Sequence, residues 1–292
     1  MSMHVFGNIL TGYGCAANNR GESEGNITTL QKLLWNNNVH TTVSSEAIRW
    51  ALRYFWQTNG IEVNRQWDDE KDDHVWQDAT WKGWAEASGT TYIDDDLLGY
   101  MKAEGAKEEG KKGSTSKRRG VLEISRAIST TPYAGDISFN AKSGEKSRTS
   151  LYGTEIHATR YQYGFSMTPE RLREKDRYLH ALDAIGGLGE VAGNHSRYLY
   201  DFSPESTVLR ISQDPAPRIL YCFQEEDGNT DLHELIRKVE AGDIEKEELF
   251  IGGLAADFPE IKALNLKNCY PGIKKTIEVF KESVGKELRK QA

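Results

Sequence analysis

The pattern of apolar and polar positions predicts strands and helices that alternate without a repeating unit. A short apolar run from His4 to Leu10 predicts a core strand, and the polar stretch from Gly12 to Asn26 predicts a loop. Residues 154–165 alternate apolar side chains but change parity near Arg160, which predicts a long strand with a bulge. Shorter strands are predicted at 121–129, 208–211 and 219–223.

The clearest helical pattern is the sequence VSSEAIRWALRYFW. Its apolar side chains recur with the spacing of one helix face, at Ile48, Leu52, Phe55 and Trp56. Ser44 or Ser45 can cap the first turn, where Glu46 suits the positive end of the helix dipole. Arg49 and Arg53 are four residues apart, so we expect them to share a face away from the apolar stripe.

Two further helices follow from local signals. Thr168-Pro169 predicts a helix start, and Gly186 predicts the end of that helix. Pro271-Gly272 precedes a last amphipathic helix. The irregular alternation of elements predicts an α+β sheet domain with insertions.

Composition changes abruptly in the middle of the chain. All seven tryptophans lie between Trp35 and Trp84, and residues 57–100 combine four of them with acidic runs. We interpret this segment as a small, mostly helical insertion, with Asp94 to Asp96 as a solvated acidic face. Lys102 to Gly120 then carries seven basic and three acidic residues with almost no apolar side chains, which predicts a mobile loop.

Bulk properties limit the class of protein. The net charge is −7, which on its own argues against a nucleic-acid partner. No apolar stretch is long enough for a membrane helix, and the N-terminal sequence is not that of a signal peptide, so we expect a cytoplasmic protein without a membrane partner. The three cysteines are far apart, and therefore predict neither a disulfide framework nor a cysteine zinc site.

Motifs for catalysis or cofactors are incomplete. Gly105 to Lys112 resembles a phosphate loop but ends in lysine where serine or threonine is needed. The glycines around Gly187 fit a dinucleotide fingerprint, but a helix and not a strand precedes them. We therefore predict no catalytic residue, no metal ligand and no cofactor.

Basic and polar residues instead recur in separated loops. They are Asn19-Arg20, Arg49 and Arg53, Lys117 to Arg119, and Asn194 to Tyr198. Each group alone is typical of solvated surface. Together, beside glycine-rich backbone, they suit a grip on a phosphodiester chain, in which arginines and backbone N–H groups hold phosphates and aromatic rings stack on bases.

The order of six motifs resembles a known family. They are the first strand with Asn19-Arg20, then VSSEAIRWALR, DDLLGYM, AISTTPYAGDISF, LYGTEIHATRYQYGFSMTPERL and VAGNHSRYLYDFSP. In this order they resemble the CRISPR-associated Cascade backbone subunit, that is, the Cas seven family in its DevR branch, of type I and I-B-like. The resemblance covers most of the chain.

The resemblance implies a fold and a division of the chain. The expected fold is a modified RRM-like (ferredoxin-like) palm with a helical fingers insertion, a web and a thumb. The palm would be residues 1–56, 121–130 and 151–292. The fingers would be 57–100, the basic web loop 101–120 and the thumb hairpin 131–150.

The resemblance also implies a function. Several copies would assemble along one CRISPR RNA (crRNA) with other Cascade subunits, and pairing between the guide and target DNA would supply sequence specificity. The VSSEAIRWALR helix would present its N-terminal amides to phosphates, and the acidic fingers would not carry the main RNA contact. The implied RNA-binding residues are Asn19, Arg20, Ser44, Ser45, Glu46, Arg49, Arg53, Met101, Lys117, Arg118, Arg119, Gly193, Asn194, Arg197 and Tyr198.

Two other functions remain open at this point. Relatives that cut RNA use an aspartate before the phosphate-gripping helix, but residues 26–42 contain no aspartate or glutamate, so we expect no metal-dependent cleavage. The enzyme alternative is an RRM-fold ribonuclease that processes CRISPR transcripts with His40, His157 or His195 as acid or base. The binding alternative is a protein-binding module that uses the tryptophan patch.

Overall fold

The computed structural model describes residues 2–85, 89–104, 114–141, 151–193, 197–226 and 228–291. Three parts of the sequence predictions lie outside these residues. They are the middle of the basic web loop, the end of the thumb hairpin, and Asn194 with His195.

The described residues form strands, helices and short 3-10 turns in an α+β arrangement. The strands are β1 (His4–Thr11), β2 (Gly14–Ala16), β3 (Arg20–Glu24), β4 (Ile27–Leu30), β5 (Lys32–Trp35), β6 (Asn38–Val43), β7 (Arg65–Asp68), β8 (Asp73–Trp76), β9 (Gly99–Glu104), β10 (Ser114–Arg119), β11 (Leu122–Ile124), β12 (Ala127–Ser129), β13 (Ile137–Ala141), β14 (Leu151–Glu155), β15 (His157–Thr159), β16 (Tyr161–Met167), β17 (Pro204–Ser212), β18 (Gln224–Glu226), β19 (Asn229–Asp231), β20 (Leu249–Gly253) and β21 (Asn268–Tyr270). The helices are α1 (Ser45–Thr58), α2 (Lys82–Ala85), α3 (Ile93–Leu98), α4 (Arg177–Gly186), α5 (His233–Glu240), α6 (Pro259–Ala263) and α7 (Ile273–Gln291). The 3-10 turns are Pro169–Arg171, Lys246–Glu248 and Leu254–Asp257.

A nine-stranded sheet forms the centre of the fold. Its order is β21-β20-β17-β1-β16-β12-β6-β5, and β11 also pairs with β16. Strand β1 lies between β16 and β17 and is antiparallel to both. Side chains on successive residues of a strand point to opposite faces, and accordingly Val5 and Ile9 join one apolar cluster while Phe6 and Leu10 join the other.

Helices cover both faces of this sheet. On the first face, α1, α4 and α7 bury Leu52, Leu182 and Phe280, and α4 contacts both other helices. On the second face, α5 and α6 bury Leu235 and Ile261. The sheet is therefore a buried scaffold, and its loops and appended hairpins carry the exposed chemistry.

The predicted ends of α1 are close to those in the structure. The helix runs from Ser45 to Thr58, and the Ala47 N–H donates to the Ser44 Oγ at 3.2 Å. The last helix, α7, also follows Pro271-Gly272 as predicted. Long amphipathic periodicity and local capping signals were sufficient in both cases.

The helix predicted to open at Thr168-Pro169 begins later. Those residues form only the 3-10 turn Pro169–Arg171, and Thr168 makes no capping hydrogen bond. The next backbone N–H groups, of Arg173 and Glu174, donate to the Asp96 carboxylate. Because that carboxylate holds the chain out of helical conformation, α4 starts only at Arg177.

The predicted strands and loops differ from the structure at three further places. The polar stretch 12–26 contains β2 and β3, because each finds a distant partner, β15 and β4. Residues 219–223 are buried but form no strand, and Tyr221 has a φ of +53° that a strand does not accommodate. The long strand predicted at 154–165 is broken at Ile156 and at Arg160 into β14, β15 and β16.

The appended segments differ from the predicted ones. Residues 57–100 are not mostly helical, since the β7–β8 hairpin precedes two helices of four and six residues. The two ends of the predicted web loop pair as the β9–β10 ribbon. The predicted thumb strand β13 pairs with β14, and β4 and β3 complete a four-stranded sheet, so the hairpin extends past residue 150 to Glu155.

Among the helices of the described residues, none combines the length and the apolar character that a membrane crossing requires.

Candidate RNA-binding interface

Two arginines that are far apart in sequence come together beside the four-stranded sheet. Arg197 lowers the pKa of the Arg20 guanidinium, in addition to a larger effect of burial. Arg197 donates to the Tyr152 Oη at 2.6 Å, and its guanidinium lies 5.1 Å from the centre of that ring. In the described part of the chain neither arginine pairs with a carboxylate, so the site carries uncompensated positive charge.

The Arg20 side chain is partly buried, but no carboxylate among the described residues neutralises its charge. Its Nε and Nη2 are buried and have no hydrogen-bond partner among the described residues. Buried donors of this kind usually find a partner. The orphaned donors next to a second cation therefore suit an anion with several acceptor oxygens, such as a phosphate.

Asparagines fix the loop that carries Arg20. Asn18 donates to the Val191 carbonyl at 2.6 Å. This hydrogen bond connects the loop of Arg20 to the glycine-containing loop, which begins at Val191 and includes Gly193. Asn19 adopts a φ of +57° and donates to the Thr42 carbonyl at 2.9 Å. Asn19 was predicted to bind RNA, but its side chain is buried and points into the protein. Its role in this structure is to position Arg20.

The glycine-containing loop leaves an open backbone next to this site. Ala192 and Gly193 have positive φ values of 65° and 46°. A Cβ at Gly193 would meet nothing within 4 Å. Glycine is favoured at this position by its backbone angle and not by crowding. Tyr198, also predicted for RNA contact, is half-buried just beyond this loop.

The N-terminus of α1 is already occupied by its own side chains. Ser44 caps the helix, and Ser45 donates to the Glu46 carboxylate at 3.2 Å. The Glu46 carboxylate also accepts a hydrogen bond from its own backbone N–H, which lowers its pKa. The prediction that this turn offers free amides to a phosphate is therefore not supported, because Glu46 places a negative charge there.

Arg49 and Arg53 face the acidic segment and not solvent. Arg49 donates to the Leu98 carbonyl at 2.6 Å. Arg53 lies 3.4 Å from the Asp94 carboxylate, and only 14% of its side chain is exposed. Both arginines thus share a face away from the apolar stripe, as predicted, but on that face Arg53 makes an internal ion pair.

The β9–β10 ribbon divides its predicted residues between two faces. Lys117 pairs with Met101 across the ribbon, and Arg118 with Tyr100. Lys117 and Met101 are exposed, and Arg119 is exposed and paired with Glu123. Arg118 points inward to Asp96 and lies 4.2 Å from the centre of the Trp84 ring.

The acidic run on α3 is buried, not solvated as predicted. Asp94, Asp95 and Asp96 are at most 3% exposed. Asp94 binds the loop before β7 and Arg53, Asp95 binds Trp81 and Asn64, and Asp96 binds Arg118 and Arg177. These three carboxylates therefore connect the segment 57–100, the β9–β10 ribbon, α1 and α4. Local composition could not reveal this, because all the cationic partners are distant in sequence.

Histidines offered for catalysis are enclosed. His40 and His157 are 6% and 4% exposed. The His157 ring nitrogens contact the Thr41 and Thr131 hydroxyls, and burial lowers the pKa of His157 to about 4. Within the described ranges no group of three or more metal-ligating side chains could hold a metal ion.

Sequence prediction did not single out Tyr152 or Arg126. Arg126 donates to the Thr42 Oγ1 at 3.1 Å and to the Gln31 Oε1 at 3.4 Å. It makes no ion pair within the residues that the structure describes, although Glu46 interacts with it. No local pattern marks either residue, because Tyr152 is placed by strand pairing and Arg126 by hydrogen bonds to residues that are distant in sequence.

Comparison with solved structures defines the class of fold. The chain is similar to a subunit of a "CRISPR RNA-guided surveillance complex, pre-nicking", with a TM-score of 0.59, 10% identity, and coverage of 96% of this chain and 99% of that one. A second chain, from a "CRISPR RNA-guided surveillance complex", has a TM-score of 0.59, 13% identity, and coverage of 97% and 100%. The fold is thus the mixed α+β fold of these subunits.

Comparison of sequences identifies the family. Residues 12–213 match the family described as "CRISPR-associated negative auto-regulator DevR/Csa2". The "CRISPR-associated protein Cas7/Cst2/DevR" of Myxococcus xanthus (strain DK1622) is 52% identical over 265 aligned residues, with coverage of 87% of this chain and 87% of that one. The chain belongs to the Cas7/DevR family, and the family expected from the motifs is confirmed.

Proposed function

We propose that this chain is a non-catalytic, crRNA-binding backbone subunit of a type I Cascade effector complex. Its family membership and the complexes that contain similar folds support this role. The observation that carries the proposal is at Arg20 and Arg197. The two guanidiniums interact, neither forms an ion pair with a carboxylate in the described residues, and two buried Arg20 donors have no hydrogen-bond partner there. Phosphodiester RNA supplies an anion of matching chemistry at regular intervals.

The palm in this proposal is the centre of the main sheet. Four strands have the order β17-β1-β16-β12, with α1 between β1 and β12 in the chain and α4 between β16 and β17. A split βαβ unit of ferredoxin-like type has this strand order. The palm would present the loops at Arg20 and Gly193, while the β9–β10 ribbon would be the web and the sheet containing β13 and β14 the thumb.

Assembly along the RNA is part of the same proposal. On the β13–β14 hairpin, Phe139 is 72% exposed and Leu151 is 60% exposed. Exposed apolar side chains on one small sheet suit contact with another protein surface. A head-to-tail contact between copies need not close into a ring, so identical copies can extend along a guide whose free bases pair with target DNA.

The absence of catalysis is supported by the site chemistry. The hairpin β5–β6 that leads into α1 contains no acidic residue. Of the two described histidines of the ribonuclease alternative, His157 has both ring nitrogens in contact with threonine hydroxyls, and His40 has its Nδ1 in contact with the Ser129 carbonyl. A magnesium-dependent or histidine-dependent cleavage of bound RNA would contradict this part of the proposal.

RNA affinity measured at several salt concentrations tests the grip. Replacement of Arg20 and Arg197 by alanine should weaken binding to unrelated RNA sequences alike. The slope of log affinity against log salt should become shallower by about 0.7 for each RNA phosphate that the variant no longer neutralises. Arg237→Ala is a matched control, because Arg237 is exposed on α5 and paired with Glu234. An unchanged affinity in the double variant would refute the assignment.

A further inference from the structure

A cavity lies where α1, the β7–β8 hairpin and the β9–β10 ribbon meet. We call it the fingers pocket, and the residues that matter here are Arg49, Arg53, Arg65, Trp76, Tyr100 and Met101. Its volume is about 460 Å³, which lies in the range of small-ligand pockets. Met101, at its rim, is 71% exposed, so the pocket opens on the same side as the proposed web.

Positive charge is concentrated in the fingers pocket. Burial lowers the pKa of the Arg53 guanidinium, Asp94 opposes this effect, and the nearby Arg49 and Arg65 lower the pKa again. Neither Arg49 nor Arg65 forms an ion pair in the described ranges. The three guanidiniums therefore lie close enough to interact, and within the described residues Arg53 alone of the three forms an ion pair.

The two carboxylates of the pocket are engaged by the protein itself. Asp94 accepts hydrogen bonds from the backbone N–H of Asn64 at 2.7 Å and of Arg65 at 3.1 Å. Asp95 accepts from the Asn64 side chain at 2.9 Å and from the Trp81 indole at 3.1 Å, and burial raises its pKa to about 6. The two acids keep their charge, but the lining sets Arg49, Arg53, Arg65 and Arg118 against them. The pocket therefore keeps a net positive charge for an entering anion.

Aromatic rings form the other half of the lining. Trp76 is 41% exposed, and the Arg65 guanidinium lies 5.5 Å from the centre of its ring. Trp81 stacks on Tyr100 at 4.7 Å with an interplanar angle of 16°, and Trp76 meets Trp81 edge-on at 5.4 Å. These contacts fix the rings of Trp76, Trp81 and Tyr100 in place. Trp76 still has exposed surface on which a ligand can pack.

We infer that the fingers pocket binds a single nucleotide, with its phosphate on Arg49 and Arg65 and its base on Trp76. Cations and aromatic rings together are how proteins hold unpaired nucleotides without reading their sequence. We take the nucleotide to be an unpaired one within a bound RNA strand, and this choice of source rests on the proposed function. A free nucleotide has the same chemistry and is the other source. The fingers would then contribute a local contact in addition to the backbone grip at Arg20 and Arg197.

Two binding measurements test this inference on the full chain. The first is the affinity for a labelled single-stranded RNA, measured by fluorescence anisotropy, and the second is calorimetric titration with AMP. The variants are Trp76→Leu and Arg65→Ala, both at partly exposed positions of the β7–β8 hairpin. The control is Trp35→Leu, since Trp35 packs on Tyr221 away from the pocket. Thermal unfolding of each variant verifies that it is folded.

We expect each pocket variant to lower RNA affinity about tenfold, with Trp35→Leu unchanged. If RNA affinity is unchanged but AMP binds the unmodified chain and not Trp76→Leu, the pocket stands with a free nucleotide as its ligand. If both pocket variants bind RNA and AMP as tightly as the unmodified chain does, the inference is overturned. Strong RNA binding in that case would still leave the proposed function intact. If the chain binds AMP through Trp76 but no RNA, the proposed function fails and the pocket stands. If it binds neither ligand, both are overturned.

Discussion

The buried carboxylate of Asp96 offers the sharpest test of how this structure is held together. Asp96 is fully buried and forms ion pairs with Arg118 and, at 2.9 Å, with Arg177. It also accepts the backbone N–H groups of Arg173 and Glu174 at 3.0–3.2 Å. Asp96→Asn keeps the shape of the side chain but removes its charge and one acceptor group.

The magnitude follows from what the substitution leaves behind. Breaking a buried ion pair by removing one partner costs about 3–5 kcal/mol, because the other charge stays buried. Arg177 retains Glu174 at 2.7 Å and the Thr91 hydroxyl at 3.0 Å, and Arg118 has enough exposure to turn towards water. We therefore expect a loss near the lower limit, about 3 kcal/mol of unfolding free energy.

Urea-induced unfolding measures this loss. Asp183→Asn is the matched control, because Asp183 is half exposed and its one ion pair among the described residues is with Lys281. A surface pair of that kind contributes about 0–1 kcal/mol. If Asp96→Asn were no more destabilising than Asp183→Asn, the view that α3 connects the segment 57–100, the β9–β10 ribbon and α4 would be refuted.

Three further predictions concern single residues. Asn19→Ala should lower the free energy of unfolding by about 1 kcal/mol, because it removes the hydrogen bond to the Thr42 carbonyl. Urea unfolding measures this loss, and unchanged stability would indicate that Asn19 only contacts RNA. Gly193→Val should cost about 1–2 kcal/mol because the φ of +46° is left-handed, and Gly193→Asn should cost less in the same assay; equal losses would contradict backbone strain. Burial lowers the pKa of His157 from 6.5 to about 4, so the unfolded chain binds this proton first and stability should fall as pH drops from about 6.5 towards 4. His157→Gln should remove that part of the pH dependence in unfolding measured across this range, and an unaltered profile would contradict the assignment.

Local sequence was sufficient where one segment determines its own structure. The helix α1 follows from the spacing of Ile48, Leu52 and Trp56 and from a serine cap, both of which lie within one stretch of chain. The strand β1 is likewise mostly apolar, and it is buried on both faces. In such elements the apolar positions of the sequence coincide with the buried positions of the structure, so the sequence pattern predicts the element.

Local sequence failed where a distant residue determines the outcome. Three consecutive aspartates predict a solvated surface. In the structure they are buried, because the fold brings Arg53, Arg118 and Arg177 next to them. The same pairs engage Arg53 and Arg118 inside the protein, and their contact with RNA stays a prediction. Conversely, Arg20 and Arg197 were predicted separately, and their proximity emerges only when the loops that carry them are tied together. That tie is the Asn18 bond to Val191.

The size of the complex formed on RNA tests the central claim most directly. The purified chain is mixed with single-stranded RNAs of increasing length, and the mass of each complex is measured in solution together with its absorbance at 260 and 280 nm. The account predicts that the number of bound copies increases in regular steps with RNA length, and that the Arg20→Ala, Arg197→Ala double variant loses this assembly. A single copy on RNA of every length, or a protein that carries no RNA at low salt, would contradict it.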